Sequence, residues 1–406
     1  MSQVTFLVPF AYGMGGIPRT TFLVAGELAS RGHDVEVLTL IRGQDETFFP
    51  LHPEVRLTEI FDVRDPERPG HTRPRPKNRG DVDPKLRELD RSPTTLSQDA
   101  HQFFSALVDQ RLEEHLSRQR DGIVIATRPE LAVAAVRYTR GRVGTILQEH
   151  NALADRRQGL RDAVIGITRP ELKHGLDAFL TLTQDELDKW RPMLEPTSTR
   201  LGVIPNATPF ALGPAAPLER PLVIAAGRYE KQKGFERLIE AWVPIAERHP
   251  EWRLEIYGEG RQEQPLREQI ETLGLGASVT LAGLTHEMET VMAGASVYAM
   301  SSRHEGLPMV LLEAMSKGVP PVSFNCPEGP RQLIDDGTSG LLVENGNIPA
   351  LSAALMSVIE DEQLRRRLGA GALERAGEYQ IGHVTDVWES LFDQIAAGRR
   401  RWWHRR

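Results

Sequence analysis

The chain has 406 residues, of which 40% are hydrophobic and 26% are charged, and its formal net charge is −7. This length favours two domains, and the composition is typical of a soluble globular protein without a nucleic-acid partner. Cys326 is the single cysteine, which excludes an internal disulfide and fits a reducing cytoplasm. No apolar run approaches ~20 residues, so we expect neither a signal peptide nor a membrane span.

The N-terminal half alternates short aliphatic runs with segments of helical length. The runs 4–9 and 35–40 flank a helical pattern over 18–31, which predicts a strand–helix–strand opening. Further buried strands are predicted at 123–126, 144–148, 179–182 and 201–204. The alternation indicates a parallel sheet with helices on both faces.

Residues 42–100 interrupt this alternation. The part 64–93 is dense in Pro, Arg, Asp and Gly and lacks an apolar period, which predicts a long mobile loop. Asp81 and Asp83 form an Asp-x-Asp pair of the kind that holds a metal and a diphosphate in some transferases. They lie in a solvated charge run and not at a strand end, so we expect no metal site there.

The alternation resumes after a proline-rich segment, 206–220, which is typical of a hinge linker. Strands are predicted at 222–226, 254–257, 279–282, 297–300, 321–324 and 340–343. Helices are predicted at 234–248, 264–273, 309–316, 350–359, 363–376 and 384–397.

These elements predict an α/β fold with two facing, doubly wound parallel-sheet domains. The domains are expected over residues 1–207 and 208–383, and residues 384–406 extend beyond what the second sheet needs. Ligands of open α/β sheets bind at the carboxyl ends of strands, so we expect the functional site in the cleft between the domains.

Two cations follow the strand predicted at 222–226. Arg228 and Lys233 stand five residues apart at the mouth of a helix. Arginine holds phosphate oxygens in a bidentate manner and lysine adds a mobile point charge. The pair therefore suits a leaving diphosphate.

Glu305 and Glu313 bracket seven residues and are the main indication of a ligand-binding site. Glu305 lies in a Gly/Pro turn, and Glu313 is expected two turns into the helix that the turn opens. Gly306 lets a ligand approach the backbone, and Pro308 suits a first helical turn. The free N–H groups at the helix start can hold a phosphate beside a sugar hydroxyl. The predicted ligand contacts of this segment are Glu305, Gly306, Leu307, Pro308, Met309, Val310 and Glu313.

Other strand ends supply weaker candidates. Gly15 and Gly16 follow the first strand and permit close approach of a backbone or ligand. His150 follows the strand 144–148, where it can hydrogen-bond a sugar hydroxyl or receive a proton, with a purely structural histidine as the alternative. Gly258 and Thr285 end two later strands and are predicted to contact a nucleotide base.

Together these segments resemble the retaining glycosyltransferases of family 4, which have two Rossmann-like domains in the GT-B architecture. The matching pieces are Gly15-Gly16, Val203-Ile204-Pro205-Asn206, Gly227-Arg228 with Lys233, Tyr257-Gly258 and the stretch 301–313. The segment Pro327-Glu328-Gly329-Pro330 resembles members that build cell-surface polymers, such as capsular polysaccharide or wall teichoic acid. Two departures are Asn206-Ala207-Thr208 in place of the usual Asn-Gly, and residues 42–100, which have no counterpart.

The resemblance implies a UDP- or GDP-sugar donor and a hydroxyl acceptor of the glycan, lipid-linked or polyol-phosphate kind. It implies that no metal and no other cofactor is needed. It also implies that the N-terminal domain takes the acceptor and that the last helix crosses back to that domain. The anomeric configuration would be kept by attack on the face that the leaving phosphate occupies.

Roles of single residues follow from the same resemblance. Arg228 and Lys233 would bind the diphosphate. Glu305 would meet the hexose hydroxyls and Glu313 the ribose. His150 would lie near the donor sugar and the acceptor, and Asn206 joins the substrate-binding residues because it belongs to a matching motif.

The chain ends in Arg399-Arg400-Arg401-Trp402-Trp403-His404-Arg405-Arg406. Cations interleaved with tryptophan suit the headgroup layer of an anionic membrane, which would place the protein at the inner face of the cell membrane. A frayed terminus or a helix end is the alternative.

Other protein classes use similar scaffolds. An NAD-dependent oxidoreductase is disfavoured because the early glycine turn is not G-x-G-x-x-G and no acidic residue closes the second strand. A sugar-nucleotide epimerase would turn over its substrate without an acceptor, and a phosphorylase would need inorganic phosphate. A non-catalytic binding module is the remaining alternative.

Overall fold

The computed structural model describes residues 1–63, 84–96, 104–150, 153 and 170–403. The chain divides into two compact units. Unit 1 comprises Met1–Pro205 and Ile381–Arg406, and unit 2 comprises Asn206–Gln380. The pair Asp81 and Asp83 and the last three residues of the basic tail lie outside the described residues.

Unit 1 contains a parallel sheet of seven strands in the order β3-β2-β1-β4-β5-β6-β7. Its central strands are continuous aliphatic runs because both faces of the sheet are covered. Helices α3, α4 and α6 pack their leucine, valine and tryptophan side chains against it. The strands are β1 Gln3–Phe10, β2 Asp34–Arg42, β3 Arg56–Asp62, β4 Ile123–Ala126, β5 Gly144–Gln148, β6 Ala178–Thr181 and β7 Arg200–Val203. The described helices are α1 Gly16–Ser30, α2 Pro84–Arg91, α3 Ala106–Leu116, α4 Pro129–Thr139, α5 Pro170–His174, α6 Gln184–Leu194 and α14 Ile381–Trp403.

The prediction of one long loop over 64–93 is wrong at its end, where α2 forms. Too few apolar residues recur in α2 to give a helical period, but Leu89 packs on the core of unit 1. The following segment is fixed by Asp109 of α3, whose carboxylate accepts from the Thr94 hydroxyl at 2.6 Å and the Thr95 N–H at 2.6 Å. Contacts with distant residues therefore order α2 and the segment after it, although the local sequence does not predict a regular structure there.

Unit 2 contains a parallel sheet of six strands in the order β10-β9-β8-β11-β12-β13. The helices α7, α8, α12 and α13 contribute apolar side chains to its core. The strands are β8 Leu222–Ala226, β9 Arg253–Tyr257, β10 Val279–Gly283, β11 Val297–Met300, β12 Pro321–Asn325 and β13 Leu341–Glu344. The helices are α7 Phe235–Arg248, α8 Glu263–Thr272, α9 Met288–Ala293, α10 Met309–Ser316, α11 Pro330–Leu333, α12 Ile348–Glu360 and α13 Glu362–Gly377.

The proline-rich segment 206–220, predicted as a hinge linker, is held on unit 2. The Thr208 N–H donates to the Tyr379 carbonyl at 2.7 Å, and the Ala216 N–H donates to the Lys317 carbonyl at 2.7 Å. The buried Lys317 ammonium donates in turn to the Ala211 carbonyl at 3.1 Å. Proline removes N–H donors, but these contacts give several of the remaining backbone groups a partner on unit 2.

Helix α14 is longer than predicted and packs on α1 within unit 1. Arg31 makes hydrogen bonds to Asp386 at 2.6 Å, Glu389 at 2.7 Å and Glu27 at 2.9 Å. These carboxylates, Asp386 first, raise the pKa of the Arg31 guanidinium. Among the described residues, no helix is long and apolar enough to cross a membrane.

The Arg31 cluster predicts a measurable stability contribution. Arg31→Met keeps the apolar stem but removes the hydrogen bonds to three carboxylates and to the Gly382 carbonyl, so we expect a loss of about 1–2 kcal/mol in the free energy of unfolding of unit 1. Urea unfolding of the full chain measures it. Arg56→Met is the matched control, because its single pair with Asp34 is more than half exposed and should contribute less than about 1 kcal/mol. Equal losses in the two variants would contradict the assignment.

Candidate active site

Each sheet reverses its strand order at one place, between β1 and β4 in unit 1 and between β8 and β11 in unit 2. The connections from the two strands leave in opposite directions there, so a crevice opens at the carboxyl ends. In unit 2 the segment after β8 carries Arg228 and Lys233, and the segment after β11 carries Glu305. The topology therefore brings the two strongest motifs of the sequence to one edge.

The segment after β8 closes directly onto the segment after β11. It forms a short 3-10 helix, Lys231–Lys233, and then turns at Gly234, which has φ +64° and begins α7. A Cβ on Gly234 would lie 2.4 Å from the Ser301 carbonyl oxygen. Only glycine fits both this left-handed backbone and this close approach.

Several hydrogen bonds fasten these two segments to each other. The Arg303 N–H donates to the Gln232 carbonyl at 2.8 Å, and the Gln232 side chain donates to the His304 carbonyl at 3.1 Å. The Ser301 hydroxyl donates to the Lys233 carbonyl at 3.0 Å. The backbone on both sides of Lys233 is thereby held against the turn that carries Glu305.

Lys233 and Glu305 form a largely buried ion pair. The Nζ of Lys233 lies 2.6 Å from Oε1 of Glu305, and the side chains are 16% and 8% exposed. The Ser302 hydroxyl donates to the same Oε1 at 2.6 Å. A carboxylate at this depth needs such partners, because burial of an uncompensated charge is costly.

Glu305 and Glu313 occupy different depths around the start of α10. Pro308 is the N-cap residue, so it precedes the first helical turn that the sequence predicted for it, and no side chain caps the helix. The Asn206 side chain donates to the Leu307 carbonyl at 2.9 Å, and this hydrogen bond fixes the turn that precedes α10. Glu313 lies in the second turn and is 1% exposed.

Sequence reasoning quoted the segments that contain Ser302 and Glu328 for the family resemblance but did not assign either residue to this site. Glu328 is 1% exposed and has φ +85°, a strained conformation for a residue with a side chain. The Glu305 N–H donates to the Pro327 carbonyl at 3.3 Å, and Glu305 and Glu328 form an isolated parallel bridge. No local pattern reveals this contact, since it joins the ends of β11 and β12.

Arg228 differs from Lys233 in its environment. Its side chain is exposed, and within the residues that the structure describes it has no ion-pair partner. A guanidinium in this state is accessible to an anion beside α7.

Gly258 and Thr285 have contacts of their own at the ends of β9 and β10. A Cβ on Gly258 would lie 2.0 Å from the Gly227 carbonyl oxygen, so glycine is required for packing. The Thr285 hydroxyl accepts from the Glu287 N–H at 3.0 Å and stabilises a turn. A ligand contact at either residue stays a prediction.

In unit 1 the glycines after β1 have no steric reason for being glycine. Gly15 is the N-cap of α1, and a Cβ on it would meet only Pro18 at 3.5 Å. A Cβ on Gly16 would have nothing within 4 Å among the described residues. Neither residue has a positive φ. The open space at this strand end is compatible with close approach of a ligand.

His150 follows β5 with one ring nitrogen buried. Its Nε2 has no hydrogen-bond partner among the described residues. Burial lowers the pKa of His150 from 6.5 to about 4, and the neighbouring Glu149 opposes this only in part. The imidazole is therefore neutral near pH 7. No group of three or more potential metal ligands occurs in the described part of the chain.

The family model described as glycosyl transferases group 1 matches residues 213–375. The whole matched range lies in unit 2 and contains Arg228, Lys233, Glu305 and Glu313. Residues 213–375 belong to the group 1 glycosyl transferases. The predicted resemblance and the prediction of a glycosyltransferase enzyme are confirmed, and nothing supports the oxidoreductase or the epimerase.

Two relatives align with nearly the whole chain. The exopolysaccharide phosphotransferase of Streptomyces coelicolor is 31% identical over 98% of this chain, but the chain spans only 41% of that protein. An uncharacterized glycosyltransferase of Haemophilus influenzae is 24% identical over 96% of this chain and 100% of its own length.

Among solved structures, TarM of S. aureus, crystallised as a variant with fondaparinux, alpha-GlcNAc-glycerol and UDP, superposes with a TM-score of 0.75. The match covers 97% of this chain and 100% of that chain at 13% identity. Similarity at this identity shows the fold alone. The predicted fold class, two doubly wound parallel-sheet units of the GT-B architecture, is confirmed.

The His150 environment predicts its titration. In the free protein the ring should stay neutral on acidification from pH 8 to about pH 5, with a midpoint near 4. Because this value lies below the ordinary 6.5, the unfolded chain takes up the proton first, and this contribution to stability is lost as the pH falls from 6.5 towards 4. NMR of ¹³C-labelled histidine, assigned with His150→Gln, measures the midpoint. A midpoint near 6.5 would contradict the burial of Nε2.

Proposed function

We propose that the protein transfers a hexose-type sugar from a nucleoside diphosphate sugar to a hydroxyl acceptor, without a metal ion and with retained anomeric configuration. The Lys233–Glu305 pair at the point where the strand order of unit 2 reverses carries this proposal. It sets a cation for a diphosphate and a carboxylate for sugar hydroxyls on neighbouring strand ends. The group 1 family match over this region supports the same chemistry.

Arg228 and Lys233 are proposed to bind the diphosphate. The exposed guanidinium of Arg228 can hold two phosphate oxygens, and the Lys233 ammonium adds a second positive charge. The N–H groups of Met309 and Val310 at the uncapped start of α10 supply further donors. Together they would offset charge on the departing diphosphate, which is the part that a metal plays in other enzymes.

The carboxylates are proposed to position the sugar parts of the donor. Glu305 would accept from hexose hydroxyls beside Gly306 and Leu307. Glu313 lies deeper and would accept from the ribose hydroxyls. Carboxylate oxygens accept hydrogen bonds only, so they select hydroxyl donors and repel the phosphates.

Unit 1 is proposed to take the acceptor. His150 would contact the transferred sugar and the acceptor through its unpartnered Nε2. Gly15 and Gly16 leave room for close approach. Asn206, Gly258 and Thr285 are proposed to support the bound nucleotide mainly by holding the strand ends, since each has a protein contact that does so.

The proposed reaction breaks the bond between the anomeric carbon and the β-phosphate oxygen. The acceptor oxygen forms a bond to that carbon on the face that the phosphate leaves, and the acceptor proton passes to the diphosphate. In this scheme Glu305 positions the donor and forms no covalent intermediate.

A role in cell-surface glycan synthesis is proposed from the similar proteins. One relative is named for exopolysaccharide, and TarM was crystallised with UDP and a glycerol-linked sugar. We accordingly expect UDP as the carrier, with GDP as the other option, and a glycan, lipid-linked or polyol-phosphate acceptor. The basic residues after Arg399 are proposed to bring the chain to the inner face of an anionic membrane, whereas Arg399 itself pairs with Asp177 at 3.0 Å.

Substitutions that remove contacts to two different parts of the proposed donor should each lower the transfer rate strongly without unfolding the protein. We expect Glu305→Ala and Arg228→Ala to lower the transfer rate about 100-fold, because each removes an electrostatic contact to a different part of the donor. Mass spectrometry of the products and the released nucleotide measures the rate. Glu240→Ala and Arg267→Ala, at exposed positions of α7 and α8, are the controls. Full activity in either site variant would refute the assignment.

The name of the Streptomyces relative favours sugar-phosphate transfer as a second candidate. In that reaction the acceptor oxygen attacks the β-phosphorus and the nucleoside monophosphate leaves. The same mass spectra separate the two reactions. We expect UDP and an acceptor heavier by one hexosyl unit, whereas UMP and a hexosyl phosphate product would establish the alternative.

Metal independence is tested by removing divalent cations. We expect the transfer rate to stay within about twofold after dialysis against EDTA, because the cations of unit 2 and the helix end carry the neutralising charge. The measurement compares dialysed enzyme with and without added Mg²⁺ or Mn²⁺. A strict requirement for either ion would contradict the prediction.

A further inference from the structure

Oxygen Oε1 of Glu305 serves two partners at once. Lys233 Nζ and Ser302 Oγ both lie 2.6 Å from it. While the ammonium is paired with this carboxylate, its charge is largely cancelled and little remains for a diphosphate. The proposed function therefore requires a change at this pair when a donor binds.

We propose that Ser302 is a positioning residue that keeps Glu305 in place while Lys233 leaves it for the diphosphate of the donor. The inference rests on the proposed function and deepens it. The Ser302 hydroxyl is buried and is three residues from Glu305 in the same turn, so its hydrogen bond is independent of the segment after β8. Lys233 has a long flexible stem and a compact charge, which suits exchange between partners.

The surroundings of each partner agree with this division of roles. The backbone of Lys233 is fixed by the Ser301 hydroxyl, so exchange needs only side-chain rotation. The Glu305 backbone is fixed by the Pro327 carbonyl. With Oε1 occupied by Ser302, the second oxygen, Oε2, is the one that accepts from a sugar hydroxyl. The carboxylate thus holds its orientation after the lysine has left.

The consequence for nucleotide binding is specific. Glu305→Gln releases Lys233 before any ligand binds, so a nucleoside diphosphate without sugar should bind about fivefold tighter, which corresponds to about 1 kcal/mol. In a Lys233→Ala background the same substitution should leave the affinity unchanged. This comparison separates release of the lysine from simple removal of a negative charge.

Ser302→Ala should weaken the affinity that depends on the sugar part of the donor and leave the affinity for the nucleotide part unchanged. We expect its affinity for the nucleoside diphosphate to stay within about twofold and its affinity for the nucleotide sugar to fall about tenfold, the factor for about 1.4 kcal/mol. Ser323→Ala is the matched control, because Ser323 is equally buried and its hydroxyl donates to the Phe324 carbonyl. Ser302→Thr retains a hydroxyl and should restore the sugar-dependent affinity.

Isothermal titration calorimetry of the full chain makes both tests with UDP, UDP-glucose and UDP-N-acetylglucosamine, and with GDP and GDP-mannose. The expected result is a lower ratio of sugar-nucleotide to nucleotide affinity in Ser302→Ala alone and a Lys233-dependent gain in Glu305→Gln. The inference is overturned if Ser302→Ala behaves like Ser323→Ala, or if the gain persists without Lys233. If the wild-type chain binds none of these probes, the proposed function fails with it, and this outcome is distinct from the other two.

Discussion

A buried ion pair between two strand ends organises unit 2. Lys233 and Glu305 are 72 residues apart in the chain, yet their charged atoms lie 2.6 Å apart. Removing two charges from water is unfavourable, and the pair is tolerated because the charges compensate each other and the Ser302 hydroxyl donates to the carboxylate. The close approach of Gly234 to Ser301 and the hydrogen bonds of Gln232 also hold the segment after β8 against the segment after β11.

The chemistry of the site follows from where charge is exposed and where it is buried. Arg228 remains accessible, Lys233 is committed to a carboxylate, and Glu313 and Glu328 are almost wholly buried. Such an arrangement favours an anion that enters beside Arg228 and competes with Glu305 for the lysine. The family match spans residues 213–375 and lies wholly in unit 2, which holds the proposed nucleotide contacts.

The sequence predicted the central strands of both sheets because these strands are buried on both faces and read as aliphatic runs. The strand β3, Arg56–Asp62, was not predicted, because it lies at the edge of its sheet and is only partly buried. Helix α10 occurs at Met309–Ser316 as predicted, since its apolar face and the preceding Pro308 mark it locally. Helix α2 and the hydrogen bonds that hold residues 206–220 on unit 2 were not predicted, because both depend on contacts with distant residues. The short helices α9 and α11 have four to six residues, too few for a periodic signal.

The same reasoning explains what was missed at the site. Residue types at strand ends predicted Arg228, Lys233, Glu305 and Glu313 as one group. The pairing of Lys233 with Glu305 depends on strand order, which spacing does not encode. Ser302 and Glu328 lie in segments that carry the family resemblance, but neither was assigned to the site, because a buried serine and a strained glutamate are recognised only by what they contact.

The measurement that tests the central claim most directly is a thermal-shift panel of nucleotide sugars on the wild-type chain and on Lys233→Ala. A donor present at 100 times its dissociation constant adds about 2.7 kcal/mol to the stability of the state that binds it. The account predicts that one UDP- or GDP-linked sugar raises the melting temperature of the wild type and that Lys233→Ala loses most of this rise. An equal rise in both proteins, or no rise with any nucleotide sugar, would contradict it.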